Sequence, residues 1–158
     1  MSFLQLADRL AIPSLLAASL IRIGNFFNSE ILGTPSNLPW AIIFARVDDI
    51  PRHPAMLYES MAYFLVFCAL YAAYWKTRMI QFSGRTLGVS LAVCFLARFL
   101  IEFVKEDQVP FERNLPLDMG QLLSIPFILA GVLLIYFSKQ KSTQKLPQPL
   151  DKKHRKRG

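Results

Sequence analysis

PSLLAASLIRIGNFFNSEILG, residues 13 to 33, decides how the chain is read. Its first eight residues are an apolar run. Behind them, at helical spacing, come Arg22, Asn25 and Asn28, then Glu30. These polar groups stand where lipid is the expected solvent, and their presence there needs a reason.

The rest of the chain supports a lipid surrounding. Hydrophobic residues make up 53% of the 158, phenylalanine alone numbers 13, and mean hydropathy is +0.33. Long apolar runs extend from Leu57 to Trp75, Leu87 to Val104 and Leu122 to Phe137. Each is near the ~20 residues a helix needs to cross a bilayer. Ile12 to Phe27 is a shorter fourth run, interrupted by Arg22 and Asn25. The expected fold is all-α, a polytopic membrane helical bundle. About four spans are expected, near residues 11–28, 57–75, 86–104 and 120–138, with an exported loop between the first two.

The first twenty residues do not read as a cleaved signal. Asp8 sits beside Arg9, and no small-residue cleavage site precedes a polar mature region. Cys68 and Cys94 fall inside apolar runs without metal or redox spacing, and are expected to be buried thiols acting as small hydrophobes.

The net charge of +7 belongs to the last twenty residues, which hold eight Lys or Arg and only Asp151 as an acid. The other 138 residues carry ten basic and ten acidic groups. Nucleic-acid binding is not the reading of such a tail. It is expected to be disordered, lying on anionic lipid as a cytoplasmic anchor. The connector 76–86 holds Lys76, Arg78 and Arg85 and no acid, whereas 105–119 and 28–56 carry more acids than bases. The positive-inside rule then places 76–86, the tail and the N-terminus in the cytoplasm. It places 28–56 and 105–119 outside. Within 28–56, Trp40 to Phe44 reads equally as a strand or an interfacial segment.

A charge at mid-bilayer costs roughly 2.5–3.5 kcal/mol on insertion scales, so intramembrane ionisable groups tend to face a cavity and mark function. Arg22 and Asn25 are three apart on one helix face and can address one ligand, and Asn28 extends the line. Gly24 is expected to admit a close neighbouring backbone. Arg98 lies in LAVCFLARFLIEF with Glu102 at i+4, which leaves open an internal ion pair or a ligand contact. Snorkelling is the bland reading of Arg22, but the polar run around it favours function. Guanidinium suits phosphate and stays charged when buried. In a membrane the abundant phosphate is the phospholipid headgroup. A phospholipid site facing outward is therefore expected.

RHPAMLYES, residues 52 to 60, sets Pro54 at the start of the second span. His53 is a candidate general base. On its own the cluster reads as interfacial His53 and Tyr58, with Glu59 favoured by the helix dipole in the first turn. No metal-ligand or Ser-His-Asp pattern occurs, and no cofactor is expected.

RIGNFFNSEILG with LPWAIIF, then RHPAMLYE, ARFLIEFVKED and DMGQLLSIPFILAG, resemble the prolipoprotein diacylglyceryl transferase family. The motifs cover roughly residues 5 to 137. The resemblance implies an integral enzyme of the bacterial cytoplasmic membrane. Such an enzyme moves the diacylglyceryl group of phosphatidylglycerol onto the lipobox cysteine thiol of a preprolipoprotein and releases glycerol phosphate. It implies that Arg22, Asn25 and Gly33 are essential signature positions, that Glu30 is a signature acid, and that Arg98 is the second headgroup arginine. Asn28 is read as lining the same site. His53, Tyr58 and Glu59 match the RHPxxLYE motif. The family usually has glycine where Ile21 and Ser29 stand here. Family members are also about twice as long, with three further upstream spans and a His-Gly-Gly motif. The chain therefore resembles the C-terminal half, with an upstream half as an expected partner. The alternatives are a non-catalytic phospholipid-binding protein and a membrane scaffold whose arginines only pair internally.

Overall fold

The computed structural model describes residues 3–76, 82–106 and 118–140. Most of what it describes is helix. Helix α1 spans Phe3–Asn28, α2 Ala55–Lys76, α3 Arg85–Glu102 and α4 Met119–Tyr136. Three of these, α1, α2 and α4, are long and apolar enough to cross a membrane. Helix α3 has 18 residues and carries Arg85, Arg98 and Glu102. Its charges, more than its length, set it apart from the other three. The bundle is the expected all-α membrane type. The tail beyond Gln140 and residues 107–117 of the connector 105–119 lie outside the described residues.

Helix α1 begins well before the expected start near residue 11, because Leu4, Leu6 and Ala7 continue its turns. Pro13 lies inside it, as membrane helices tolerate. Its buried positions, Asp8, Ala11, Ile12, Leu15 and Ser19, recur at three- and four-residue steps and form one stripe. Leu10, Leu20, Ile21 and Phe27 are exposed elsewhere on the helix. Apolar residues all round a helix suit a lipid surrounding.

The helices form two antiparallel hairpins in the packing sense. On α1 and α2, Ser19 meets Ser60 while Arg22 meets Glu59, so the chains run oppositely. Each serine hydroxyl donates to the other's backbone carbonyl, both at 2.9 Å. Bonds of this kind hold membrane helices together at about 0.6 kcal/mol apiece. On α3 and α4, Gly88 faces Gly131, and a Cβ on Gly131 would lie 2.6 Å from the Ala92 amide nitrogen. Only a missing side chain allows that approach. Phe95 and Phe127 stack at 4.4 Å in the same seam.

Asp8 ties the hairpins together. Its buried carboxylate accepts the Gly84 N–H at 2.7 Å and the Leu87 N–H at 2.9 Å. It thus caps the α3 N-terminus from another helix, where Gly84 at φ 85° has no side chain for the task.

The α1–α2 connector forms a small cap. Strand β1 (Ile42–Ile43) pairs antiparallel with β2 (Pro51–Arg52). Of the two readings of Trp40 to Phe44, a short strand is present at Ile42–Ile43. Isolated bridges join Gly33 to Lys105 and Pro35 to Arg52, so the cap is fastened to the end of α3. Near the opposite helix ends, β3 (Phe82–Ser83) pairs with β4 (Lys139–Gln140).

Candidate functional site

Helix α1 leaves its last turn through a Schellman closure. The Glu30 N–H donates to the Asn25 carbonyl at 2.9 Å and the Ser29 N–H to the Phe26 carbonyl at 3.1 Å. Ser29 occupies the left-handed position at φ 57°, where glycine is the usual residue. Ile31 is also left-handed, at φ 58°, a strained state for a β-branched residue. The chain then turns back, and Gly33 enters the cap. Its N–H donates to the His53 carbonyl at 3.0 Å. A Cβ there would collide with His53 and sit 2.8 Å from the Val104 carbonyl. Gly33 is therefore a packing requirement.

Beneath the cap lies a buried ion network. Arg22 Nε is 2.7 Å from Glu59 Oε2, a contact short of hydrogen-bond alignment. Lys105 Nζ donates to Glu59 Oε1 at 2.8 Å and to Glu102 Oε2 at 3.0 Å. Glu59 is fully buried, Lys105 and Glu102 nearly so. Gly120 on α4 makes room for the Glu102 carboxylate, which a Cβ would overlap. Two cations and two carboxylates balance. Charges taken out of water need such compensation.

One open alternative is decided here and two expectations are corrected. Glu102 pairs with Lys105 rather than Arg98, because the turn at Phe103–Val104 brings Lys105 back over the helix end. Glu59 is not an interfacial first-turn acid but the centre of the buried network, beyond the first turn of α2. Gly24 has no atom within 4 Å of where its Cβ would be, so it is not a point of close approach among the described residues. In addition, Cys94 is buried as expected, but Cys68 is exposed on the outer face of α2.

A groove of about 630 Å³ opens between α1 and α3. Phe3, Leu6 and Leu10 line it from α1, and Leu87, Leu91 and Phe95 from α3. Along α1 the lining runs from Phe3 to Arg22, about 28 Å at 1.5 Å per residue. Arg22 and Arg98 both line it, and Tyr63 reaches it from α2. Among the described residues Arg98 has no ion pair. An apolar trough with two guanidinium groups can hold an amphiphile with an anionic head.

The other singled-out residues lie off the groove. Asn25 is half-buried, and its carbonyl serves the helix end. Asn28 and Glu30 are exposed. His53 Nδ1 is 3.2 Å from the Tyr58 hydroxyl, which accepts the Trp40 indole N–H at 2.9 Å. His53 and Tyr58 belong to the cap. Arg52 was not singled out from the sequence, yet it is buried and holds the cap together. It donates to Asp48, to Glu106 at 2.8 Å and to the Gly33 carbonyl at 3.4 Å. Asp48 raises the Arg52 pKa, and Arg52 holds the Asp48 carboxyl below the usual carboxylate range. Lys105 and Tyr63 were also missed. The one visible hint was a lysine three residues after an acid in IEFVK.

The family described as prolipoprotein diacylglyceryl transferase matches residues 1–137. A protein of Chloroherpeton thalassium named phosphatidylglycerol–prolipoprotein diacylglyceryl transferase is 52% identical over 139 residues, covering 87% of this chain and 52% of the relative. Its namesake in Tolumonas auensis is 43% identical, over 90% of this chain and 55% of the relative. That of Bacteroides fragilis is 40% identical, over 92% and 52%. The chain spans about half the length of the curated relatives it matches. No solved structure matches it.

Proposed function

The chain belongs to the prolipoprotein diacylglyceryl transferase family, and from that we propose that its groove binds phosphatidylglycerol for transfer of the diacylglyceryl group to a preprolipoprotein cysteine. The observation that carries the reading is that Arg22 and Arg98 line one mostly apolar groove. Bidentate guanidinium groups suit a phosphate, and the apolar lining suits acyl chains.

In the reaction, the lipobox thiolate of the substrate protein attacks the glyceryl carbon that bears the phosphate. A C–S bond forms and the C–O bond to the phosphate breaks. Glycerol phosphate leaves with the electron pair, and its negative charge develops beside the two arginines. The thiol proton passes to a base. His53 is the candidate. In the tautomer that donates Nδ1–H to Tyr58, Nε2 is free to accept a proton. Asn25, Asn28, Glu30 and Gly33 then serve the site by shaping the helix end and the cap. The membrane is the bacterial cytoplasmic one, with the cap on the outer face and the C-terminus inside. The upstream half of the longer relatives is the partner that supplies the rest of the enzyme.

The position of His53 off the groove favours one second reading, a phospholipid-binding protein without catalysis. The experiment that separates them follows a labelled test prolipoprotein by mass in a bacterium depleted of its own transferase. This chain is expressed alone or with a separately expressed upstream half. A gain of one diacylglyceryl unit in either arm, abolished by Arg98→Gln, supports transfer. No gain in both arms, with the chain verified in the membrane, rejects it.

A further inference from the structure

Tyr63 is a polar residue of the groove that the proposed chemistry leaves unused. It stands on α2, one turn beyond Glu59, and packs with Ile12, Leu15 and Cys94 in the core. It also lines the groove with Arg22 and Arg98. Among the described residues its hydroxyl has no hydrogen-bond partner. Other buried hydroxyls do: Ser19 and Ser60 serve each other, and Ser90 donates to the Thr86 carbonyl at 2.8 Å. A hydroxyl that finds no partner in the protein is open to one from a ligand. The Tyr63 oxygen is not among the fully enclosed atoms that lack one, so it keeps some accessible surface, and the residue lines the groove.

The two neighbouring guanidinium groups only donate hydrogen bonds, and a phenol donates one. Three donors from α1, α2 and α3 around one space call for an acceptor with several oxygens and negative charge. We infer that Tyr63 is a third direct phosphate contact, its hydroxyl donating to an oxygen of the phosphate that Arg22 and Arg98 face. This rests on the groove being the phosphatidylglycerol site. The same donor would serve the departing glycerol phosphate, where negative charge grows.

The test uses the full chain in phosphatidylcholine nanodiscs, titrated with phosphatidylglycerol, with diacylglycerol as the phosphate-free control. Tyr63→Phe keeps the ring and removes the hydroxyl. Binding of phosphatidylglycerol is expected to weaken about ten-fold, with diacylglycerol binding and melting temperature unchanged. Glycerol 1-phosphate added as a competitor distinguishes the sources. Displacement that weakens in Tyr63→Phe means that free phosphate suffices, and no displacement leaves the lipid-borne phosphate as the ligand. Either supports the contact when the ten-fold loss is seen. An equal loss for diacylglycerol overturns it in favour of packing. Unchanged phosphatidylglycerol binding in Tyr63→Phe, with Arg22→Gln and Arg98→Gln weakened, overturns the Tyr63 contact and spares the site. If the unaltered chain does not bind phosphatidylglycerol, or all three variants bind it undiminished, the site reading falls and the inference with it.

Discussion

The Arg22 guanidinium lies 2.7 Å from the fully buried carboxylate of Glu59, whereas Arg98 meets no carboxylate among the described residues. The two arginines of one groove thus differ in electrostatic state. Arg22 is half of a structural pair and can offer a ligand only its remaining N–H groups. Arg98 carries the uncompensated charge.

That difference separates stability from binding. Arg98→Gln removes a charge with no partner to strand, so the fold should persist. Phosphatidylglycerol binding should fall about 10- to 100-fold, the range for a lost hydrogen bond to a charged group. Arg22→Gln should also weaken binding, but it leaves Glu59 and Glu102 to share the single charge of Lys105 and should cost about 3–5 kcal/mol of stability. Thermal unfolding in detergent beside lipid titration reads both. Equal destabilisation by the two variants would contradict the assignment.

Lys105 bridges Glu59 and Glu102. Lys105→Met leaves two buried carboxylates facing each other and should destabilise by about 3–5 kcal/mol. Adding Glu102→Gln removes one of them and should recover part of that loss. Strict additivity of the two changes in a double-mutant cycle would exclude the coupling.

How far these residues were visible in the sequence follows from the range of their interactions. Arg22 and Arg98 stood out because a charge within an apolar run is conspicuous wherever it points. The helices stood out because a bilayer imposes a length. The α1 start did not, because Asp8 and Arg9 look like the end of an apolar segment. Asp8 instead accepts backbone N–H groups by capping α3 more than 70 residues away in sequence. Lys105 looked like loop charge, since its two partners come together only when α2 and α3 pack. The i+4 spacing of Arg98 and Glu102 left a local pair open, but Lys105, three residues on and folded back by the turn beyond α3, takes Glu102 instead. Gly33 was recognised by family pattern alone. Its reason, a backbone approach to His53 and Val104, is visible only in the cap.

Ser29 gives a prediction in the favourable direction. It holds the left-handed closing position of α1 at φ 57°, which costs an L-residue roughly 1–2 kcal/mol. Ser29→Gly relieves that strain and adds some unfolded-state entropy. A net stabilisation of about 0.5–1 kcal/mol is expected, read as a raised unfolding midpoint with lipid binding unchanged. Ser29→Ala keeps the strain and should bring no gain.

The cap should respond to acid through Asp48. The Arg52 guanidinium, bonded to both Asp48 oxygens, holds this carboxyl below its ordinary value. A group depressed in the folded state stabilises fully above its unfolded pKa, about 3.9 for Asp. The contribution should therefore be constant from neutral pH down to about 5. It should fade as pH drops below about 4 through the depressed folded value. Hydrogen exchange of the Gly33, Ser36 and His53 amides reports on the cap, since these N–H groups bind the His53, Pro51 and Thr34 carbonyls. Their protection should fall in that acid window in the unaltered chain. In Asp48→Asn, protection should be lower at neutral pH, and the part of the acid dependence due to Asp48 should vanish. The same acid loss in both chains would assign the transition to other groups, and the Asp48–Arg52 pair would then be no more than a surface contact.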